Sequence, residues 1–335
     1  MSSPDVIVIG AGVLGLCTAA ELGARGHAVT VLDPGGPNAS SAAAGMIAPA
    51  LESLLDDLSP GHSALLKRAR DLWPAFAARH GLTLHLEGAE WRGPDPDAGI
   101  ARLHALGFAA ERTAAGLLTP DDWRVEVAAA MAGLSAATGV LRQVATVSTI
   151  DRTGDSWRVT AEDGRAWSAP VIILATGAAA PLPGLTGGTT ALINRIEPIR
   201  GQLTPVRCAS PARVVRAPGV YAVPSEEGAL FGATMEPGVR DLSVDADVST
   251  RQQAAGLSLL DHQGEGLPAR VGIRGSTPDG LPMAGASREP GLHLALAPRR
   301  NGWLLGPLVA RIVADGIEGR APVDDAATLD PLRFA

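Results

Sequence analysis

Asp5-Val-Ile-Val-Ile-Gly10-Ala-Gly12-Val-Leu-Gly15 decides the fold of this 335-residue chain. Its first half is a short β-branched apolar run, the kind found in a parallel strand buried on both faces. Three glycines follow, then an Ala- and Leu-rich helical stretch from Leu16 to Arg25. Gly26 ends that helix, and Ala28–Leu32 reads as a second strand closing on Asp33. A G-x-G-x-x-G alone is weak in a chain with 40 glycines. Here it leaves a strand, opens a helix and is answered by an acid at the end of the next strand, which makes it a dinucleotide fingerprint. Gly10 permits the tight turn, Gly12 lets backbone approach a pyrophosphate, and Gly15 lets helix pack on strand. Free N–H groups at the helix start favour the anion, and Asp33 is placed to accept from a ribose diol.

Outward from this unit, Gly61–His80 reads as an amphipathic helix interrupted near Pro74, and residues 81–120 are dense in Gly, Pro and Asp. A helix is expected over Val125–Ala137 and a strand over Val140–Ile150. Asp151–Asp155 reads as a hairpin turn into a strand at Trp157–Ala161. Ala169-Pro-Val-Ile-Ile-Leu-Ala-Thr-Gly177 is another buried strand ending in a glycine turn. Short alternating strands from Ile199 to Thr234 predict an antiparallel sheet, and Leu292–Ala297 with Trp303–Ile317 predict a strand feeding a helix. The fold class is therefore α/β: a Rossmann-like nucleotide domain built from discontinuous segments, plus an antiparallel-sheet substrate domain. The approximate division is 1–52, 125–190 and 270–335 for the first, 53–124 and 191–269 for the second.

Composition removes several function classes. A net charge of −7 without a basic cluster argues against a nucleic-acid partner. Apolar runs such as Val171–Leu174 fall far short of the ~20 residues that span a bilayer. No basic n-region precedes the first strand, so a cytoplasmic protein without a signal peptide is expected. Cys17 and Cys208 are too few for a disulfide framework or a zinc site, and the seven histidines show no metal-ligand spacing. Lys67 is the single lysine, so 27 of the 28 cations are arginine, and Tyr221 is the single tyrosine.

The late strand running into Ala175-Thr-Gly177 is a turn typical of flavoproteins that wrap extended FAD. A second small-residue stretch, Ser40-Ser-Ala-Ala-Ala-Gly-Met46, would let backbone amides approach a phosphate or a flavin edge. With these, Tyr221-Ala-Val-Pro224, Phe231-Gly-Ala-Thr-Met235, Gly272-Ile-Arg274, Thr277-Pro-Asp-Gly-Leu-Pro282, Arg300-Asn-Gly302 and Leu329–Phe334 occur in one order along the chain. Together the blocks resemble the D-amino-acid oxidase superfamily of FAD-dependent oxidoreductases, and within it the glycine oxidase group.

The resemblance implies noncovalent FAD and oxidative deamination of a small amino acid or amine. In that chemistry hydride passes to flavin N5, the imine is hydrolysed, and oxygen is reduced to hydrogen peroxide. It implies substrate contacts at Arg274, Tyr221, Met235 and Arg300. It implies cofactor contacts at Gly10, Gly12, Gly15, Asp33, Ser41, Ala44, Gly45, Met46, Val144, Thr176, Gly177, Arg274, Asn301, Gly302 and Trp303. Arg274 matches the arginine that clamps the substrate carboxylate, where a planar fork suits bidentate contact better than lysine. No acid–base residue is required, because the flavin carries the chemistry. Pro298-Arg299 stands where many relatives carry His-Tyr, and Gly275 where many carry proline, so the pocket mouth departs from the pattern. Two alternatives stay open: a dehydrogenase passing electrons to an acceptor other than oxygen, and a non-catalytic flavin-binding subunit. Self-association stays open too.

Overall fold

The computed structural model describes residues 4–335. Its six-stranded sheet has the spatial order Met283–Ala286, Leu292–Leu296, Val171–Leu174, Val6–Ile9, Val29–Asp33, Val140–Val144. All neighbours are parallel except the Met283–Ala286 edge. Val6–Ile9 is central and fully buried, and its residues alternate between two cores. Val6 and Val8 face a helical layer that includes Leu16, Cys17 and Leu308. Ile7 and Ile9 face Ile150, Trp157 and Val159 of a three-stranded antiparallel meander. A strand covered on both faces has no polar side, which explains the unbroken Val-Ile-Val-Ile.

The helices Val13–Ala24 and Gly302–Ile317 pack together on one face. A Cβ at Gly306 would lie 2.8 Å from the Cys17 sulfur, so Cys17 is a small apolar filler at a close helix crossing. The helix begins at Val13, three residues before the expected Leu16, because Gly12 serves as its N-cap. Pro60–Asp71 and Trp73–His80 form the helix pair broken near Pro74. No helix among the described residues is long and apolar enough to cross a membrane.

The second, larger sheet is organised around Glu197–Arg207, an eleven-residue strand. Its C-terminal half pairs with Gly228–Gly232 and continues through Val220–Ser225 and Val214–Ala217 to short strands from residues 89–119. Two readings from sequence are corrected here, and one undivided region resolves into elements. Val140–Ile150 is two strands, since Val140–Val144 joins the parallel sheet and Val147–Thr153 turns away into the meander. Strand Arg270–Ser276, grouped from sequence with the nucleotide segments, pairs along seven residues with Glu197–Arg207 of the larger sheet. The Pro- and Gly-rich 81–120 region holds a helix, Pro96–Ala105, capped by the Asp95 side chain. A further helix, Ala246–Leu260, packs under the larger sheet where Gly256 admits the Phe231 ring.

Candidate active site

The glycine turn after the first strand is shaped by backbone crowding. Gly10 has φ +110°, and a Cβ there would overlap the Ala175 carbonyl. A Cβ at Gly15 would overlap the Gly10 carbonyl, so helix and strand meet backbone to backbone. Gly12 meets only the Ser40 hydroxyl, which accepts from Val13 N at 2.9 Å. Gly12 offers no side-chain cap, which leaves the helix start open to an anion. Asp33 accepts from Ala11 N and Gly35 N, each at 2.8 Å, and lies 3.3 Å from Arg142. Its carboxylate therefore pins the turn, and the remaining lone pairs are what a ribose could use. Val144, paired with Asp33 at the sheet's end, is 65% exposed, an apolar ledge beside that carboxylate. This end of the site fits the adenosine and diphosphate portion of a dinucleotide.

Asn38 caps a four-residue helix, Ala39–Ala42, in a reciprocal capping box with Ser41. The chain then runs through Ala43, Ala44 and Gly45, whose φ of +72° and contact with the Val125 carbonyl exclude a side chain. A narrow cleft of about 90 Å³ is lined by Gly12, Ser40, Ala43, Gly177, Arg274 and Gly302. It shares Ala43, Arg274, Arg300 and Trp303 with a cavity of about 340 Å³ that Ala44, Gly45, Met46, Asn301 and Tyr221 also line. Ser41 and Thr176 line a larger, more open cavity of about 1030 Å³, which shares Ala39 and Ile273 with the cleft. Gly302 and Trp303 start a sixteen-residue helix whose N-cap, Asn301, makes no side-chain cap bond. Its first-turn N–H groups and dipole lie at the cleft, favouring negative charge there. Trp303 is anchored by its indole N–H to Ser40 O at 3.3 Å and by contact with Trp73. The site residues expected from sequence are thus divided among these two joined cavities, the Asp33 end and the Thr176 cavity.

Arg274 projects from strand Arg270–Ser276 into the 340 Å³ cavity, where its Nη1 donates to Thr234 O at 3.2 Å and contacts Met235 Sδ at 3.3 Å. Gly201 lies directly beneath the guanidinium, and a Cβ there would overlap it. Among the described residues Arg274 has no ion-pair partner, and burial pushes its pKa down. Tyr221 stands in the same cavity, and burial pushes its pKa up to about 12 despite Arg274 and Arg216 nearby. The phenol therefore stays protonated near neutrality and can donate. A half-buried cation and a phenolic donor in one cavity are groups that a carboxylate could pair with.

Arg300 also lines this cavity, but its guanidinium is already engaged by Glu52 and, at 2.6 Å, by Asp56. Arg299, with φ +51°, pairs with Asp56 at 3.1 Å. Glu52 and its second partner Arg216, 2.8 Å away, were not singled out from sequence. The available signal was one acid inside the apolar helix Pro49–Leu55, where a carboxylate must find cations. Burial pushes Glu52 up, yet Arg216 and Arg300 hold it below the ordinary carboxylate range. Asp122, 1% exposed, accepts from Ala50 N at 2.7 Å and Leu51 N at 3.0 Å and so fixes that helix's start.

A family model described as FAD dependent oxidoreductase, DAO, matches residues 5–316. The chain is 32% identical to glycine oxidase of Geobacillus kaustophilus over 365 aligned positions, covering 96% of this chain and 95% of that one. It is 29% identical to glycine oxidase of Pseudomonas aeruginosa, covering 98% and 99%. The crystal structure of the Geobacillus kaustophilus glycine oxidase superposes with a TM-score of 0.82 at 27% identity, covering 98% of each chain.

Proposed function

The chain belongs to the DAO family of FAD-dependent oxidoreductases, and from that membership we propose that it deaminates a small amino acid or amine oxidatively, with oxygen as electron acceptor. Its cofactor is FAD, and its reaction class is oxidation of amino acids or amines. Bound FAD supplies the two-electron acceptor that the C–H bond beside the amine requires, a task no side chain performs. The crowded Gly10 and Gly15, the open helix start at Gly12 and the Val144 ledge fit its adenosine diphosphate part. The cleft lined by Ala43, Gly177 and Gly302, together with the larger cavity it joins, offers a flat ring a place that backbone can approach. We read the attachment as noncovalent, since Cys17 is packed against Gly306 and Cys208 follows a strand of the larger sheet.

One observation carries the substrate reading: Arg274 and Tyr221 share the cavity that adjoins that cleft, and Arg274 has no ion-pair partner among the described residues. In this reading the guanidinium holds the substrate carboxylate and the Tyr221 hydroxyl donates to it. The carbon bearing nitrogen is thereby held toward the cleft, and positioning is the protein's main contribution to rate. Loss of hydride and of an N–H proton leaves an imine, which water hydrolyses to carbonyl and ammonia. The two electrons reduce oxygen to hydrogen peroxide.

Purified protein is expected to be yellow and to bleach when small amino acids are added without oxygen. Arg274→Met should raise KM for carboxylate substrates about 100-fold, the effect of removing one partner of a desolvated ionic contact, and leave FAD content unchanged. Equal loss of both would make Arg274 structural and overturn the assignment. Peroxide matching the carbonyl product mole for mole tests the acceptor; reduction by substrate without peroxide on re-aeration would point to another acceptor.

A further inference from the structure

The cavity around Arg274 carries more cations than one substrate carboxylate needs. Arg216, Arg274 and Arg300 all line it, with Glu52 as its one acidic lining residue. The two oxygens of Glu52 are divided between the other arginines: Oε1 accepts from Arg216 at 2.8 Å, and Oε2 accepts from Arg300 Nε. Asp56 takes Arg300 from a second side at 2.6 Å, whereas Glu52 is the carboxylate that holds Arg216 among the described residues. Glu52 is only 5% exposed, and the turn that carries it is pinned by Asp122. Arg216 sits directly across a hairpin from Tyr221, on the wall where the substrate is read to bind.

We propose that Glu52 determines specificity: by occupying Arg216 and Arg300 it leaves one free guanidinium, so the cavity takes substrates with a single carboxylate and rejects those with a second anionic group. The inference rests on Arg274 as the carboxylate receptor. A second anion reaching Arg216 would have to displace Glu52 from its buried partners or lie unpaired beside its charge. Either is strongly unfavourable where water is scarce. Rejection thus comes from a built-in repulsive element, while attraction comes from Arg274. Replacing Glu52 by glutamine keeps the shape, removes the charge and leaves the Arg216 fork facing the cavity.

Calorimetric titration of the FAD-loaded protein with acetate and malonate tests this, because both are redox-inert and differ by one carboxylate. The parent protein should bind acetate more tightly than malonate. Glu52→Gln should shift the malonate-to-acetate affinity ratio toward malonate by about tenfold or more, in the range of desolvated charge contacts. Glu52→Gln with Arg216→Met should return the ratio toward the parent value. An unchanged ratio in a Glu52→Gln protein with full FAD content and an ordinary melting temperature would overturn the proposal. So would tighter malonate than acetate binding by the parent, an arm that needs no variant to fold. Acetate that binds Arg274→Met as well as parent would instead remove Arg274 as receptor, and the substrate reading with it.

Discussion

Asp122 is the residue whose protonation the fold changes most visibly near neutral pH. Burial pushes its carboxyl up to about 7, against the two backbone N–H bonds from Ala50 and Leu51 that favour the anion. The folded protein therefore keeps a proton that the unfolded chain releases near pH 4. The stability this group contributes is fully present below about pH 4 and is lost as pH rises through about 7. Asparagine at 122 lacks that titration. Melting curves of parent and Asp122→Asn from about pH 5 to about pH 8 should diverge, with the parent losing a few kcal/mol relative to the variant. Parallel curves would show that the acid is already ionised in the folded state. None of this was legible in the sequence, where Asp122 follows Pro120-Asp121 and no local pattern marks it as buried.

At the scale of elements, what the sequence revealed depended on whether an element's partners were local. The first strand, the glycine turn and the second strand form one continuous unit, and Val-Ile-Val-Ile already states that both faces are covered. Val140–Ile150 misled because two strands of different sheets follow each other with only Ala145-Thr146 between them, and periodicity does not record a change of sheet. Arg270–Ser276 misled for a related reason: it lies late in the chain, near nucleotide-domain segments, but its hydrogen bonds run to Glu197–Arg207. That pairing sets Gly201 opposite Gly272 and beneath the Arg274 guanidinium. The three atoms nearest a methyl group at Gly201 all belong to the mobile end of the Arg274 side chain, so the strand should hold while the guanidinium is displaced. Gly201→Ala is accordingly expected to raise KM about tenfold for carboxylate substrates. Its melting temperature should stay within a few degrees of parent. A collapse in melting temperature would mean that the backbone, and not the arginine, yields.

Over the whole molecule, the acidic balance and the arginine excess resolve into a few engaged clusters. Glu52, Asp56, Arg216, Arg299 and Arg300 form one beside the cavity, and Glu21, Arg25, Arg79, Asp315 and Glu318 tie three helices together elsewhere. Composition announced the arginines but not their partners, because ion pairs such as Arg25 with Asp315 join residues 290 positions apart. The glycines were the more readable signal, since Gly10, Gly15 and Gly45 each mark a place where one backbone touches another.

The short helix Ala39–Ala42 joins the two ends of the site. Ser40 receives the N–H of Val13 at the nucleotide turn, and a Cβ on Gly272, two residues before Arg274, would lie 2.7 Å from the Ala39 Cα. The turn and the arginine strand therefore both bear on one four-residue element, at Ser40 and at Ala39. Two ligands that each hold this wedge in place must favour one another, and by linkage the favour is mutual. Acetate should tighten the binding of FAD by the same factor by which FAD tightens acetate. Independent binding, measured as an FAD affinity indifferent to acetate, would show that the element holds its place without either ligand.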